Sequence, residues 1–350
     1  ILDSQRVPIT AANRTEGPYP YYGANGVQDY VGDYIFDDEL VLLAEDGGNF
    51  GSKTKPIAYR VSGKCWVNNH AHVIKPKNGL DADFLCYSLM FYNTDGLVNG
   101  ATRQKLTQAT MRKMLIPDLS KEQQLEIVNQ LNRIVEIRTL RLKEIQELDA
   151  LVKARFVEMF GHPDTNEKGW KMNTFGDICT VRQGLQIPIS KRLREYDDDC
   201  YEYITVQYLH GGKEREYIKS PKATVICTKD DILMARTGNT GLVVTDVEGV
   251  FHNNFFLIDF DRNKYDKDFL VHYLNLDIIQ ADILRRAGTS TIPDLNHGEF
   301  YKIPVFEPLI GVQRQFKDFL RQVDKSKAVV QKALDKTQLL FDSLMQEYFG

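Results

Sequence analysis

The sequence predicts an α+β protein in which two similar mixed α/β globular domains are separated by two long helices that form an antiparallel coiled coil. Three observations indicate this fold. The chain of 350 residues repeats its own pattern after about 180 to 190 residues. Each half ends in a long apolar stripe at helical spacing, and each half places β-rich segments bounded by Gly, Asn and Asp before that stripe. The chain is therefore predicted to be a tandem duplication with pseudo-twofold symmetry.

The repeated segments keep one order in both halves, although the shift between the copies drifts as loop insertions would make it drift. In chain order, the matches are "RVPIT" (6–10) with "QIPIS" (186–190), "LLAEDGGNFG" (42–51) with "LMARTGNTG" (233–241), Asn68-Asn69 with Asn253-Asn254, Phe84 with Phe269, and Phe160-Gly161 with Phe349-Gly350. We therefore expect the two globular domains to share one strand order and to superpose at these residues.

The alignment of the two halves also bears on the beginning of the chain, because it places Ile1 of the first half opposite about Val181 of the second. The second half carries the strand-like segment "GWKMNTFGDICT" (169–180) before that point, and the first half shows no counterpart. We expect about a dozen or more residues to precede Ile1.

The long helices are predicted over 119–161 and 309–350, which leaves globular domains at 1–118 and 162–308. Ser120 and Gln123 form a capping box at the first helix. Apolar residues then recur at steps of three and four, which is the pattern of a coiled-coil seam. The residues predicted at the interface of the helix pair are Ile127, Leu131, Ile134, Ile145, Val152, Phe316, Leu320, Val323, Leu334 and Phe341. The alternative is a surface helix packed on its own domain, but a helix of about forty residues spans ~60 Å, more than one small domain covers.

The globular domains contain strand and helix signals in both halves. Segments rich in Val, Ile, Tyr and Phe predict strands at 39–45, 58–67, 201–209, 223–228 and 249–260. Helices opened by Asp are predicted at 81–92 and 266–286.

Composition excludes several classes of protein. Apolar residues make up 43% of the chain, which suits globular cores, and the net charge of −4 does not indicate a binder of nucleic acid through bulk charge. No run approaches the ~18 apolar residues of a membrane helix. The five cysteines are scattered and never spaced as C-x-x-C. This favours a reduced cytoplasmic protein without structural zinc.

Motifs for catalysis are not found in the sequence. It contains no phosphate loop, no G-x-S-x-G and no H-E-x-x-H. His70 and His72 lie at a spacing that a metal could use, but without a second pair nearby a structural role is favoured. The carboxylates of "DDDC" (197–200) are interpreted as a solvated loop rather than a cation site. We predict no catalytic residue and no metal ligand.

Two similar domains at a fixed separation suit a target with two separated sites, such as DNA with half-sites about 34 Å apart. Basic and amide-bearing loop residues are the types that contact phosphates and base edges. The candidates are Asn13, Arg14, Lys53, Lys55, Arg103, Gln104 and Lys105 in the first half, and Lys191, Arg192, Arg194, Lys213, Arg215, Arg236 and Asn239 in the second. For each residue alone, ordinary solvated surface is the competing interpretation.

Several of these segments carry a resemblance to a known family. "PYPYYGANGVQDYVGDYIFDDELVLLAEDG" (18–47), "DDILMARTGNTG" (230–241), "HNNFF" (252–256), "MLIPDLSKEQQLEIV" (114–128) and the "YFG" ending resemble the specificity subunits of type I restriction-modification enzymes. The resemblance covers essentially the whole chain. It departs from the family pattern at "VFEPLIGVQRQF" (305–316), where the usual start of the last helix is blurred.

The resemblance implies a non-catalytic subunit with two target-recognition domains, which reads a bipartite asymmetric DNA sequence and uses its helices as a ruler for the spacer. It further implies two modification subunits as partners, which are adenine methyltransferases that use S-adenosylmethionine, and restriction subunits as additional partners. Two other classes stay open from the residues alone. These are a DNA-modifying enzyme with unrecognised catalytic residues and a scaffold that bridges proteins without binding DNA.

Overall fold

The computed structural model describes residues 1–100, 103–209, 211, 215–288 and 293–350, and the chain divides into two compact units. The first unit comprises Ile1–Glu144 and Val330–Gly350, and the second unit comprises Ile145–Val329. Each unit therefore contains one globular domain and part of each long helix.

The first unit is built on a five-stranded sheet whose strands contribute to two separate core clusters. Its strands are β1 (Tyr19–Gly23), β2 (Gly26–Val31), β3 (Phe36–Ala44), β4 (Ala58–Val67) and β5 (Ala71–Ile74), and a separate ribbon contains β6 (Val98–Asn99) and β7 (Lys105–Leu106). The sheet order is β2-β1-β4-β3-β5, with β1 and β4 parallel. Leu42 and Leu43 of β3 enter different core clusters, which explains why this strand has an almost continuous apolar sequence.

Helices cover the first sheet and connect it to the rest of the unit. They are α1 (Ala82–Met90), α2 (Gln108–Met111) and α3 (Lys121–Phe160), whose residues up to Glu144 belong to this unit. Asp81 caps α1 because its carboxylate accepts hydrogen bonds from the N–H groups of Asp83 and Phe84.

The second unit repeats this strand order, with the β3–β4 hairpin interrupted and one further strand at the edge of its sheet. Its strands are β8 (Lys171–Thr174), β9 (Cys179–Gln183), β10 (Cys200–Ile204), β11 (Tyr217–Lys219), β12 (Ile226–Cys227), β13 (Ile232–Ala235), β14 (Val243–Val244), β15 (Gly249–Phe251), β16 (Phe255–Phe260) and β17 (Pro304–Glu307). They form sheets of order β11-β10-β15-β12 and β14-β13-β16-β9 and the pair β17-β8. Strands β12 and β13 together take the place of β3, and β14 and β15 together take the place of β4. The shared order agrees with a duplicated unit.

The helices of the second unit are α4 (Phe175–Ile178), α5 (Val206–Leu209), α6 (Lys267–Leu274), α7 (Asp277–Ala287), α8 (His297–Tyr301) and α9 (Ile310–Phe349), whose residues from Val330 belong to the first unit. In the described residues, short 3-10 turns also occur at Asp3–Gln5, Ala11–Asn13, Ile189–Lys191 and Ala223–Val225.

Four predicted elements of the second half were wrong in extent. The segment 201–209 is not one strand, because β10 ends at Ile204 and Thr205 then caps the short helix α5 by accepting the Tyr208 N–H. The segment 223–228 opens as a 3-10 turn, and 249–260 is divided into two strands by a turn at 252–254. The predicted helix 266–286 is two helices, since α6 ends before Asn275 and α7 begins after Leu276.

Two of the predicted superpositions are also wrong in register. Equivalent backbone hydrogen bonds run from Asn68 N–H to the Tyr22 carbonyl and from His252 N–H to the Ile204 carbonyl. Asn68 is therefore equivalent to His252, and the match of Asn68-Asn69 with Asn253-Asn254 is displaced by one residue. The match of "RVPIT" with "QIPIS" is displaced by two, because the carbonyls of Ile9 and Ile187 accept equivalent arginine side chains.

Within each unit the segments of the two long helices run antiparallel. In the first unit Gln130 contacts Tyr348, and Arg141 donates to Thr337 and to the Ala333 carbonyl. Arg141 and Thr337 are polar interruptions of the two apolar stripes, and the structure shows that they bond to each other. In the second unit, Lys327 pairs with Asp149.

The apolar seam is buried in both units. Of the residues predicted at the helix-pair interface, Ile145 and Leu334 are half-buried and the following are buried: Ile127, Leu131, Ile134, Val152, Phe316, Leu320, Val323 and Phe341. In the second unit Phe156 packs against Phe269 and Phe316 at ring-centroid distances of 5.6 and 5.3 Å, so the seam is continuous with the core of the globular domain.

Candidate nucleic-acid interface

In each unit three loops meet beside the end of the same strand, which is β3 in the first unit and β13 in the second. We call each set the loop edge of its unit; the sets are 45–51, 68–70 and 103–107, and 236–241, 252–254 and 293–297. In the first unit, the Glu45 N–H donates to the His70 carbonyl at 2.8 Å. In the second, the Arg236 N–H donates to the Asn254 carbonyl at 2.7 Å. Glu45 and Arg236 therefore occupy equivalent positions.

The first loop edge presents two exposed cations, each of which contacts a carboxylate. Arg103 Nη2 lies 2.6 Å from Asp46 Oδ1, and the Arg103 side chain is 61% exposed. Lys105 Nζ lies 3.0 Å from Glu45 Oε1 and is 50% exposed. His70 Nδ1 shares the Asp46 oxygen at 2.7 Å. The carboxylates thus hold the basic groups in place while most of each basic side chain faces solvent.

Below this surface lies a buried network that contains the cluster best suited to a metal among the described residues, Asp3, Glu45 and His72. Its donor atoms already have partners. His72 Nδ1 lies 2.7 Å from Asp3 Oδ2 and His72 Nε2 lies 2.8 Å from the Leu106 carbonyl, so each ring nitrogen already has a hydrogen-bonding partner. Arg6 binds Glu45 at 2.6 Å. These contacts fit an ion-pair network rather than a metal site.

The two carboxylates of this network are held in their charged form. Burial alone would raise the pKa of Asp3, but hydrogen bonds from His72 and from the Val73 N–H outweigh it, and the pKa lies below its ordinary value. Burial alone would likewise raise the pKa of Glu45, but the hydrogen bonds from Arg6 and Lys105 outweigh it, and the pKa lies below its ordinary value. The network therefore anchors the N-terminal segment to the sheet through charge.

The second loop edge carries the equivalent ion pair with its polarity reversed. Arg236 binds Asp294 through two contacts, Nε–Oδ1 at 2.8 Å and Nη2–Oδ2 at 2.7 Å. The backbones of Asp46 and Lys105 form an isolated β-bridge in the first unit, and those of Thr237 and Asp294 form the corresponding β-bridge in the second. Lys105 and Asp294 are therefore equivalent. The more exposed partner is a lysine in the first unit and an aspartate, 48% exposed, in the second. The hydrogen bond to Asp294 raises the pKa of Arg236, and the same contact lowers that of Asp294.

Arg14 and Arg192 form a second equivalent pair, and their guanidinium groups are held by the protein itself. Arg14 lies over the Tyr21 ring at 4.2 Å and donates to the Ile9 carbonyl at 3.3 and 3.4 Å. Arg192 lies over the Tyr203 ring at 4.9 Å and donates to the Ile187 carbonyl at 2.7 and 2.9 Å. Their side chains are only 18% and 15% exposed. Both arginines fix the loops in which they lie, whatever they contact in a complex.

The other predicted contact residues are distributed over several loops. Asn13, Lys191 and Arg194 are exposed beside the two held arginines, and Gln104 and Asn239 are exposed in the loop edges. Lys53 and Lys55 are exposed between β3 and β4. Arg215 pairs with Glu202 at 2.6 Å, and Lys213 lies outside the described residues. The structure thus brings together Arg103, Gln104 and Lys105 in one unit and Arg236 and Asn239 in the other, and leaves the rest apart from them.

Sequence reasoning missed the acids of the loop edges and an amide at the end of β9 that contacts one of their cations. Asp46 and Asp294 are the carboxylate partners, and Gln183 accepts from Arg236 at 3.4 Å and lies 2.7 Å from His297 Nε2. The match of 42–51 with 233–241 already set Glu45 against Arg236, and this reversal of charge was a signal that the two edges differ.

Comparisons with known proteins agree with this duplicated arrangement. The family model for the type I restriction modification DNA specificity domain matches residues 1–150 and 167–336. A Haemophilus influenzae protein named as a type I restriction enzyme specificity subunit is 30% identical over 291 residues, which are 79% of this chain and 74% of the relative.

Solved structures show the same fold at low sequence identity. The crystal structure of a type I restriction-modification S subunit from M. genitalium has a TM-score of 0.55 at 17% identity and covers 99% of this chain and 94% of its own. A structure from work on complex assembly and conformational transition of the type I system has a TM-score of 0.62 at 14% identity and covers 95% and 91%. Among the described residues, no helix is long and apolar enough to cross a membrane.

Proposed function

Because this chain belongs to the family of type I restriction-modification DNA specificity subunits, we propose that it reads a bipartite, asymmetric DNA sequence and directs adenine methylation and restriction by partner subunits. The observation that carries the proposal is the loop edge, which occurs once in each unit on the same backbone frame but with different side chains. One frame used twice suits two half-sites, and different side chains suit two different base sequences.

The chemistry of the loop edges supports contact with DNA. Arg103 and Lys105 offer hydrogen-bond donors to phosphates or to guanine acceptors in the major groove. Asp294 offers an acceptor, which suits the amino group of cytosine, and Asn239 offers both a donor and an acceptor. Since the exposed member of the equivalent ion pair is a cation in one unit and an anion in the other, we propose that the half-sites differ at the bases that face these positions.

We assign the chemical steps to partner subunits in the cytoplasm rather than to this chain. Two modification subunits would supply methyl transfer from S-adenosylmethionine, and restriction subunits would supply cleavage. The family relationship supports this assignment. The long helices also carry exposed apolar side chains that a partner would cover. They include Leu140 and Leu339 in the first unit, 57% and 69% exposed, and Val329 in the second, 69% exposed.

The test is a selection of bound duplexes by the purified chain from a library of random sequence at low salt. We expect a motif with two defined half-sites separated by an unspecified spacer. Failure to bind any duplex, or a single continuous motif, would refute the proposal. Methylation or cleavage by the chain alone in the presence of Mg²⁺ and S-adenosylmethionine would show that it is an enzyme.

Two variants with matched controls locate the reading surface. Lys105→Gln should relax the first half-site only and Asp294→Asn the second only. Lys75→Gln is the control for the lysine, because Lys75 is also 50% exposed and pairs with a carboxylate, Asp38, at 2.6 Å. Asp197→Asn is the control for the aspartate, since Asp197 is 55% exposed and pairs with Lys219 at 2.6 Å. Equal effects of variant and control would place the DNA elsewhere.

A further inference from the structure

Two glutamines are almost completely buried at the beginnings of the two long helices. Gln124 of α3 is 4% exposed and Gln313 of α9 is 0% exposed. Gln124 packs with the globular domain of the first unit and Gln313 with that of the second. A buried amide is unfavourable unless its donors and acceptor are all hydrogen-bonded. Each of these two positions therefore requires hydrogen-bonding partners for both amide hydrogens and for the amide oxygen.

Each glutamine satisfies three backbone groups of its own unit. Gln124 Oε1 accepts the Asp81 N–H at 2.8 Å, and Gln124 Nε2 donates to the carbonyls of Gly79 at 3.1 Å and Leu119 at 2.9 Å. These groups lie on both sides of a junction, since Gly79 and Asp81 precede α1 in the globular domain and Leu119 precedes the long helix. One side chain thus joins the domain to its helix.

The second unit repeats this arrangement atom for atom. Gln313 Oε1 accepts the Asp266 N–H at 2.8 Å, and Gln313 Nε2 donates to the carbonyls of Lys264 at 2.9 Å and Pro308 at 2.8 Å. Asp81 and Asp266 are the N-cap residues of α1 and α6. The three contacts of each glutamine therefore fix the start of a long helix against the capped end of a short helix in the domain core.

Only an amide side chain of this length supplies the required pattern of one acceptor and two donors. Glutamate would keep the acceptor and lose both donors, and methionine would keep the volume and lose all three hydrogen bonds. Because hydrogen bonds are directional, the amide constrains the angle between domain and helix more than apolar contact alone would.

We propose that Gln124 and Gln313 are positioning residues that hold each reading domain at a fixed angle to its long helix and so restrict the length of the DNA spacer. This inference rests on the proposed function, because it concerns the distance between two half-sites. Neither side chain contacts DNA in this proposal, since both are buried.

The test is the spacer distribution among duplexes selected by the full chain from a library with two fixed half-sites and a variable spacer. For wild type we expect one preferred length. For Gln313→Met we expect neighbouring lengths to be bound within a few-fold of the preferred one, with the half-site bases unchanged. Gln315→Met is the control, because Gln315 is exposed two residues further along the same helix. Gln124→Met should act like Gln313→Met.

The outcomes separate this inference from the proposed function. A wild-type selection without a bipartite site refutes the proposed function itself. A bipartite site whose spacer stays equally sharp in folded Gln313→Met refutes the positioning role alone. If Gln313→Met does not fold, Gln124→Met decides, because Gln124 makes the same three contacts in the first unit; an unchanged spacer in that variant overturns the inference. A change in half-site bases would also overturn it, because that would make the glutamine part of the reading surface.

Discussion

A seven-residue insertion in each long helix should lengthen the preferred DNA spacer without changing either half-site. The structure indicates where to insert, because the helix segments change unit between Glu144 and Ile145 and between Val329 and Val330. Insertion at these two points keeps the Arg141–Thr337 contact in the first unit and the Asp149–Lys327 pair in the second. A heptad also keeps the apolar seam in phase.

The expected change follows from helix and DNA geometry. Seven residues add about 10 Å to a helix at ~1.5 Å per residue. B-DNA rises about 3.4 Å per base pair along one strand, so the spacer should lengthen by at most about three base pairs. Three base pairs also rotate one half-site by roughly 100° relative to the other, at 10–10.5 base pairs per turn. Affinity should therefore fall even where the spacer length matches.

Selection of bound sites from a library with random spacers measures this shift. The control is an insertion of four residues in α3 alone, which puts its stripe out of phase with α9 and should destabilise the chain. An unchanged spacer in a folded heptad variant would show that the helices do not set the distance. Altered half-site bases would show that the two units do not read DNA independently.

Three further predictions concern DNA contact and stability. Alanine at Arg103, Lys105, Arg192, Arg194 and Arg236 together should weaken DNA binding in gel shifts. A lost bidentate base contact costs ~1–3 kcal/mol at one position, and lost phosphate contacts flatten the salt dependence of binding. Unchanged affinity would mean that these loops are not the DNA face. Phe156→Ala should lower the free energy of unfolding of the second unit by about 3–5 kcal/mol, because it opens a cavity between Phe269 and Phe316. Urea titration measures the change in this free energy, and a loss below about 1 kcal/mol would contradict the packing argument. Because the pKa of Asp3 is lowered in the folded state, its contribution to the free energy of unfolding should be complete above the unfolded pKa near 3.9 and should decline as pH falls through the folded pKa. Asp3→Asn should remove that part of the acid dependence of stability. An identical profile of stability against pH in the variant would contradict this prediction.

The long elements were predictable because periodicity accumulates with length. α3 and α9 begin and end within two residues of the predicted helices, since forty residues of stripe leave little ambiguity. The strand β4 matches its predicted bounds, and its sequence is rich in β-formers. The break between α6 and α7 was missed because Asn275-Leu276 contains neither Gly nor Pro, although Asn275 follows the last residue of α6 and asparagine is a weaker signal for the end of a helix.

The loop edges were predictable only in part, since their contacts join residues distant in the chain. Arg236 and Asp294 are 58 residues apart, and no spacing rule links an arginine after one strand to an aspartate before a later helix. The basic residues could be proposed from their type alone. Whether such a residue is held like Arg14 or presented like Arg103 depends on tertiary neighbours, and the exposed fractions of 18% and 61% separate the two cases.

The two units differ at the exposed ion pair of the loop edge and agree at the buried glutamine that joins each domain to its long helix. Gln124 and Gln313 make equivalent sets of three hydrogen bonds, and Asp81 and Asp266 cap the equivalent helices α1 and α6. A buried carbonyl or N–H without a partner costs about 1–3 kcal/mol, which leaves few alternatives at these positions. At the loop edges water can replace a lost partner, so the exposed ion pair can reverse its polarity from Glu45–Lys105 to Arg236–Asp294 without loss of the fold. The duplicated frame can therefore be kept by buried polar contacts while its exposed residues change what each unit binds.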